Sequence, residues 1–331
     1  MNKLRAAILG CGDFAHKHAE IIGRFPEEVE LVAFSDRNQH KADAFAARYG
    51  RAARAFTNHR AMLDSVPLDL LVVVLPPYGH SDEVALAAER GIHLLIEKPV
   101  ALTSAQAWEM VVAVEEAGIK TQVGFMYRFG AAVEALRARL DDGSAGQVGL
   151  ISARYFCNSL HAHWWRDRTK SGGQIVEQAI HLFDLLRYLG GEVETVFSRQ
   201  NNLFHRDVPG YTVEDVSATV VGFASGALGV VYTTNNAIPG RWINDYRAVT
   251  QRLTADFSDA NHAVFTLTGG EALETVTVAA DRDSHQAQLE DLLRAIREDG
   301  ETRTPLREGA QTLDLVLAAT RAAEERCEVR L

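Results

Sequence analysis

A chain of 331 residues exceeds what one hydrophobic core usually organises, so two domains are expected. With 47% hydrophobic and 24% charged residues and no apolar run near the roughly 18 residues that cross a bilayer, it reads as a soluble globular protein with no membrane as partner. A formal net charge of -10 argues against nucleic acid as a partner, because phosphate binding demands a basic face.

The first third alternates short apolar runs with helical segments, the pattern of a parallel sheet wound with helices. In chain order, Met1–Arg5 leads without a signal-peptide pattern into the strand Ala6–Leu9, so the cytoplasm is the expected compartment. A helix follows from Phe14 to Arg24, a strand from Glu30 to Phe34 and a helix from Arg37 to Tyr49. The run Leu70–Leu75 is apolar throughout, as a strand covered on both faces would be. Ser81–Arg90 is helical, Ile92–Ile96 a strand, Ser104–Ala117 a helix and Lys120–Phe125 a strand. These elements predict a Rossmann-type doubly wound parallel sheet over residues 1–125. Beyond Gly130 come a helix to about Leu140 and strands rich in Val, Thr and Tyr, among them Val216–Val221, Ala227–Thr234 and Val264–Thr268. Residues 126–331 are therefore expected to form a C-terminal α/β domain on an open, largely antiparallel sheet. A last helix, Glu308–Arg326, is a candidate to pack back on the first domain.

Gly10-Cys11-Gly12-Asp13-Phe14-Ala15 follows a strand and opens a helix, the context of a dinucleotide fingerprint. Gly10 permits the turn, Gly12 lets the backbone approach a pyrophosphate, and the helix start at Asp13 and Phe14 supplies amides and positive dipole. Asp36 closes the second strand, where a carboxylate accepts from the adenosine ribose hydroxyls and favours NAD over NADP. Arg37 follows it and is able to stack on adenine or to neutralise a 2'-phosphate, and Asp36 is also able to cap the next helix. After the Leu70–Leu75 strand, Pro76 begins a turn leading to His80, which either contacts the nicotinamide ribose or simply begins a helix. Glu97-Lys98-Pro99 then stops the next strand, because proline cannot continue a ladder, and delivers Lys98 to the carboxyl edge where such sheets bind ligands.

In the second domain Gly172-Gly173 precedes a helix from Gln174 to Leu189. Glu177, His181 and Asp184 share one face of it, and Ile175, Leu182, Leu186 and Leu189 lie mostly opposite. A histidine flanked by carboxylates is one way to build a general base near neutral pH, and the two glycines are expected to let a ligand approach closely. The bland reading of that face is a solvated surface. Tyr127, Arg128, Trp164 and Arg166 are candidates for a sugar pocket, since aromatic faces pack on C–H surfaces and arginine donates to hydroxyls. His161 and His163 are near each other but lack a third ligand, and Cys11, Cys157 and Cys327 are widely separated, so neither a metal site nor a disulfide framework is expected.

Taken together, the glycine fingerprint, His80, Glu97-Lys98-Pro99, Tyr127-Arg128-Phe129 and Gly172-Gly173 followed after seven residues by His181 and Asp184 resemble the Gfo/Idh/MocA family of NAD(P)-dependent oxidoreductases over almost the whole chain. The resemblance implies oxidation of a secondary alcohol of a sugar, inositol or related polyol, or reduction of the ketone. It implies that Lys98 hydrogen-bonds the reacting hydroxyl and that His181 takes its proton. Glu177 would orient the imidazole or grip a neighbouring hydroxyl, and Glu97 would support Lys98 from behind. The family's open sheet commonly forms an oligomer interface, so a homodimer or homotetramer is expected. Two other functions suit the same scaffold: an NAD-dependent glycoside hydrolase and a non-catalytic dinucleotide-binding regulator. Glu177 stands where aspartate is more usual, and Ser171 replaces the first of a common glycine triplet.

Overall fold

Six short apolar runs pair into one parallel sheet in the computed structural model of the chain, which describes residues 3–50 and 52–331. The strands are β1 (Leu4–Leu9), β2 (Val29–Ser35), β3 (Arg54–Phe56), β4 (Leu70–Val73), β5 (His93–Ile96) and β6 (Thr121–Val123), in the order β3-β2-β1-β4-β5-β6. That order is the doubly wound one, with its switch point between β1 and β4. Helices α1 (Asp13–Ile22), α2 (Gln39–Tyr49), α3 (His59–Ser65), α4 (Glu83–Glu89) and α5 (Ser104–Glu116) connect the strands. Leu70, Leu71, Val72 and Val73 are all wholly buried, which explains why β4 reads as a continuous apolar run: both of its faces are covered.

The chain divides into two compact units, 1–124 with 285–310 and 125–284 with 311–331. Residues 285–310, placed by sequence with the second domain, thus lie with the first. The physical reason is the edge strand β6, whose backbone groups need partners. Val123 donates its amide to Thr304 (2.7 Å), Leu306 donates to the Thr121 hydroxyl (2.8 Å), and Gln288 donates to the Val123 carbonyl (2.7 Å). Leu289, Leu292 and Leu293 join Ile8, Phe34, Leu70 and Val72 in one apolar cluster.

The second unit holds α6 (Ala131–Asp141) and a nine-stranded sheet. Its strands are β7 (Val148–Phe156), β8 (Val193–Asn201), β9 (Val216–Phe223), β10 (Leu228–Thr234), β11 (Tyr246–Thr250), β12 (Leu253–Asp259), β13 (His262–Leu267), β14 (Glu274–Ala279) and β15 (Val329–Arg330). Their order is β14-β13-β12-β11-β7-β10-β9-β8-β15. Every pair is antiparallel except β7 with β10, where Leu150 stands opposite Leu228 and Arg154 opposite Tyr232. Between β7 and β8 run α7 (His163–Arg166), α8 (Arg168–Ser171), a π-helical segment over Ile175–Ala179 and α9 (Ile180–Gly190). The α9 helix packs on β7 and β10, and Gly229 leaves room there for the Leu186 side chain. Two more helices complete the chain: α10 (Ser284–Glu298) and α11 (Leu306–Glu325), the latter with its residues through Ala310 in the first unit and from Gln311 in the second.

Candidate active site

In the first unit Gly10 has φ +94°, and a Cβ there would stand 2.2 Å from the Val74 carbonyl oxygen. Only glycine fits that close approach to the end of β4. Gly12 is different: a Cβ there would meet no atom within 4 Å, so no neighbouring protein atom demands glycine. It stands at the start of α1, which has no side-chain cap, and Asp13 and Phe14 are exposed in its first turn. Open space over uncapped helix amides fits the pyrophosphate of a dinucleotide.

Asp36 ends β2 facing the same loop. One carboxylate oxygen accepts the Cys11 amide (2.9 Å) and the other accepts the Asn38 amide (2.8 Å). The α2 cap is instead Asn38, whose side chain accepts from the His40 amide. Arg37 is exposed beside it. Pro76 opens a 3₁₀ turn over Pro77–Gly79, and the His80 side chain beyond it is wholly buried against Glu83, with Nδ1 to Oε1 at 2.6 Å. Burial would raise the Glu83 carboxyl, but the His80 hydrogen bond and charge and the Ser81 amide outweigh it and bring the value down to about 2.

At the end of β5, Glu97 is buried and pairs with His18 of α1 (Oε1 to Nε2, 2.8 Å), while its other oxygen faces the Lys98 amide (3.3 Å). Burial opposes ionisation of Glu97, yet the His18 hydrogen bond and charge, aided by Lys98, hold it below the usual carboxylate range. Gly124 leaves space for this carboxylate, since a Cβ there would lie 2.6 Å from Oε2. Lys98 itself is half-buried, and its peptide bond to Pro99 is cis.

In the second unit His181 is 7% exposed, its ring centroid 5.1 Å from that of Tyr127 and 6.3 Å, edge-on, from that of Phe125. Tyr127 accepts from the Asn244 amide (3.0 Å), and burial pushes its phenol up to about 12, so it stays protonated at neutral pH. One turn before His181, the π segment projects Glu177, whose Oε2 accepts from the Trp165 indole (2.8 Å). Such segments recur at functional sites because they offset the helical register. The face carrying these groups is not a solvated surface. Asp184 is wholly buried and takes both oxygens to Arg128, Oδ2 from Nε (2.9 Å) and Oδ1 from Nη2 (2.6 Å). Arg128, read as a sugar contact, is thus committed to Asp184. Arg166 is likewise occupied, donating to the carbonyls of Leu160 (2.9 Å) and His161 (3.0 Å), and Trp164 packs beside Trp165, Tyr211 and Val213.

The two glycines before the helix have internal reasons rather than a ligand's. Gly172 ends α8 at φ +79°, and Gly173, at φ +106°, would carry a Cβ 2.4 Å from Glu214 Oε2. Glu214 is buried, pairs with Arg168 (2.8 Å) and accepts the Ile175 amide (2.8 Å) at the helix start. Sequence reasoning missed Glu214, His18, Trp165 and Gln178. Trp165 and Gln178 adjoin residues that were singled out, but nothing in local periodicity marks Glu214 or His18. Among the described residues no group of three or more His, Cys, Asp or Glu side chains is placed to hold a metal, and no helix is long and apolar enough to cross a membrane.

Residues 4–125 match a family model described as an oxidoreductase family with an NAD-binding Rossmann fold, and residues 133–261 match the GFO/IDH/MocA C-terminal domain. The chain is 29% identical over 248 residues to scyllo-inositol 2-dehydrogenase (NAD(+)) of Bacillus subtilis, covering 75% of this chain and 71% of that one. It is 28% identical to D-apiose dehydrogenase of Paraburkholderia graminis, covering 100% of this chain and 90% of the relative. Among solved structures, levoglucosan dehydrogenase in complex with NADH and L-sorbose has the same fold, with a TM-score of 0.91 at 20% identity over 100% of this chain and 99% of that one. The WlbA dehydrogenase from Bordetella pertussis, in complex with NADH and UDP-GlcNAcA, superposes with a TM-score of 0.84 at 25% identity, covering 99% of each chain.

Proposed function

The chain belongs to the Gfo/Idh/MocA family of NAD-binding oxidoreductases, and from that premise we propose that it transfers a hydride between NAD and a secondary alcohol, or the corresponding ketone, of a sugar, inositol or related polyol. The observation that carries this reading is the buried imidazole of His181, walled by Tyr127 and Phe125 and preceded one turn earlier by Glu177. An inositol dehydrogenase and an apiose dehydrogenase among the relatives support the substrate class.

NAD, when bound, supplies the hydride acceptor at C4 of its nicotinamide ring. The backbone at Gly12 and the first amides of α1 hold the pyrophosphate, and Asp36 accepts from the ribose hydroxyls, which favours NAD over NADP. Pro76 shapes the turn at the end of β4. Lys98 donates to the substrate oxygen and stabilises the alkoxide that develops on it. His181 removes the hydroxyl proton as general base. Glu177, held by the Trp165 indole, orients the imidazole or a neighbouring hydroxyl. Glu97 keeps the backbone of Lys98 in place, while Arg128 and Asp184 hold the Tyr127 turn against α9. His80 serves the cofactor site indirectly, by fixing the turn into α4 through Glu83.

The outward face of the second sheet exposes Leu150, Val220, Leu228 and Tyr232, with Leu150 and Leu228 side by side across β7 and β10. Apolar contact area of this kind supports a homodimer or homotetramer formed through that face. The test of the function is NADH formation, followed by absorbance, from a panel of inositols, pentoses and glucosides. His181→Ala is expected to lower turnover by about 10²- to 10⁴-fold with NAD affinity intact. Unchanged turnover removes His181 from the mechanism, and preference for NADP overturns the role given to Asp36.

A further inference from the structure

The loop between β7 and α7 carries a residue with no role so far. His161 has φ +53°, a left-handed conformation that a non-glycine residue seldom adopts unless its neighbours enforce it. They do so here. The His161 amide donates to the Ser159 hydroxyl (3.0 Å), and the Arg166 guanidinium spans the carbonyls of Leu160 and His161. The clamp aims the ring at an aromatic pair, its centroid 4.4 Å from that of Trp165 and 5.6 Å from that of Trp242.

Two links tie this ring to the catalytic face. Trp165, against which it packs, donates its indole N–H to Glu177. Gln178, which follows Glu177 and precedes His181 by three residues, brings its amide nitrogen to 2.8 Å from His161 Nε2. An amide N–H donating to Nε2 places the imidazole proton on Nδ1. In the opposite amide orientation Nε2 would donate to the Gln178 oxygen and Nδ1 would accept. A sugar hydroxyl both donates and accepts, so Nδ1 can serve one in either tautomer. Trp242, 53% exposed beside the ring, offers an aromatic face for the C–H surface of a sugar.

We propose that His161 is a specificity-determining residue of the substrate site, hydrogen-bonding through Nδ1 to a polyol hydroxyl other than the one oxidised. The assignment rests on the polyol dehydrogenase reading above. Burial pushes the His161 imidazole down to about 4 against the pull of Glu177, so near neutral pH it is an uncharged hydrogen-bonding group rather than a second base.

The test compares the unaltered protein with His161→Phe and His161→Gln, using scyllo-inositol, myo-inositol, D-apiose and methyl glucoside, followed by single-deoxy analogues of the best of them. Phenylalanine keeps the ring between the tryptophans and removes the polar atom; glutamine restores one. His161→Phe is expected to raise KM about 10-fold, the value of one lost neutral hydrogen bond, with kcat changed less than about 3-fold and NAD binding unaltered. His161→Gln is expected to recover most of the loss. One deoxy analogue should show the same KM with the unaltered protein and with His161→Phe, because it lacks the hydroxyl concerned. An unchanged KM in His161→Phe, an equal loss with every deoxy analogue, or a parallel loss of NAD binding overturns the proposal. If the unaltered protein forms NADH from none of the four compounds, the polyol reading itself is overturned for this panel, and the assignment of His161 falls with it.

Discussion

Replacing Asp184 by asparagine separates a structural ion pair from a substrate contact. Asp184 is wholly buried and Arg128 is 3% exposed, so the pair has almost no water to replace a lost partner. Its two charge-assisted hydrogen bonds, at 2.9 and 2.6 Å, are each worth roughly 1.5–3 kcal/mol. Leaving the guanidinium buried without its counter-charge is expected to cost about 3–5 kcal/mol, since stranding one member of a buried pair exceeds the net worth of the pair. At roughly 2–4 °C per kcal/mol for a unit of this size, Tm should fall by about 6–20 °C. Urea denaturation followed by circular dichroism measures the loss. The double replacement Arg128→Met with Asp184→Leu should recover most of it, because neither charge then needs solvating. A stability loss below about 1 kcal/mol, accompanied by a large rise in KM, would refute this reasoning and place Asp184 at the substrate instead.

Three further outcomes are expected. Glu83→Gln should cost about 3 kcal/mol at pH 7, the value of a carboxyl moved from 4.5 to about 2 at roughly 1.4 kcal/mol per pH unit. Because the folded value is depressed, that stability is present above pH 4.5 and lost as pH falls towards 2. The difference between variant and unaltered protein in urea melts should therefore shrink across that window; a gap independent of pH would contradict it. Gly173→Ala forces a side chain into φ +106° and a Cβ to 2.4 Å from the Glu214 carboxylate. A loss of about 2–4 kcal/mol is expected, and near-neutral stability would show that Glu214 moves aside freely. Asp36→Ser should weaken NAD about 10-fold and narrow its advantage over NADP, as read by KM for each; an unaltered ratio would leave Asp36 only its hold on the Cys11 amide.

Much of the candidate site was legible because its marks are local. Gly12 can be read as an opening over a helix start, and Lys98 as the end of an interior strand, from a few residues of context. Asp36 as a possible helix cap was also a local reading, but Asn38 takes that place because its side chain reaches the His40 amide. Glycines show the limit most clearly: Gly12 faces open space, whereas Gly173 faces Glu214, 41 positions away in the chain, and the letters are the same.

The sequence by itself determined the strand–helix alternation, the dinucleotide loop, the helix bearing Glu177 and His181, and the family. The elements follow from periodicities of two and 3.6 and from backbone freedom at single glycines, which act over a few residues, whereas the family follows from the resemblance of its motifs. Only the tertiary structure decided that Asp184 belongs to Arg128, that Glu97 belongs to His18, that 285–310 completes the edge of the first sheet, and that His161 is clamped against Trp165. The first three set a buried charge or an edge strand against a partner whose chain separation carries no periodic mark, and burial makes the partner obligatory; His161 and Trp165 are only four residues apart, but a left-handed backbone at His161 rather than a helix brings their rings together.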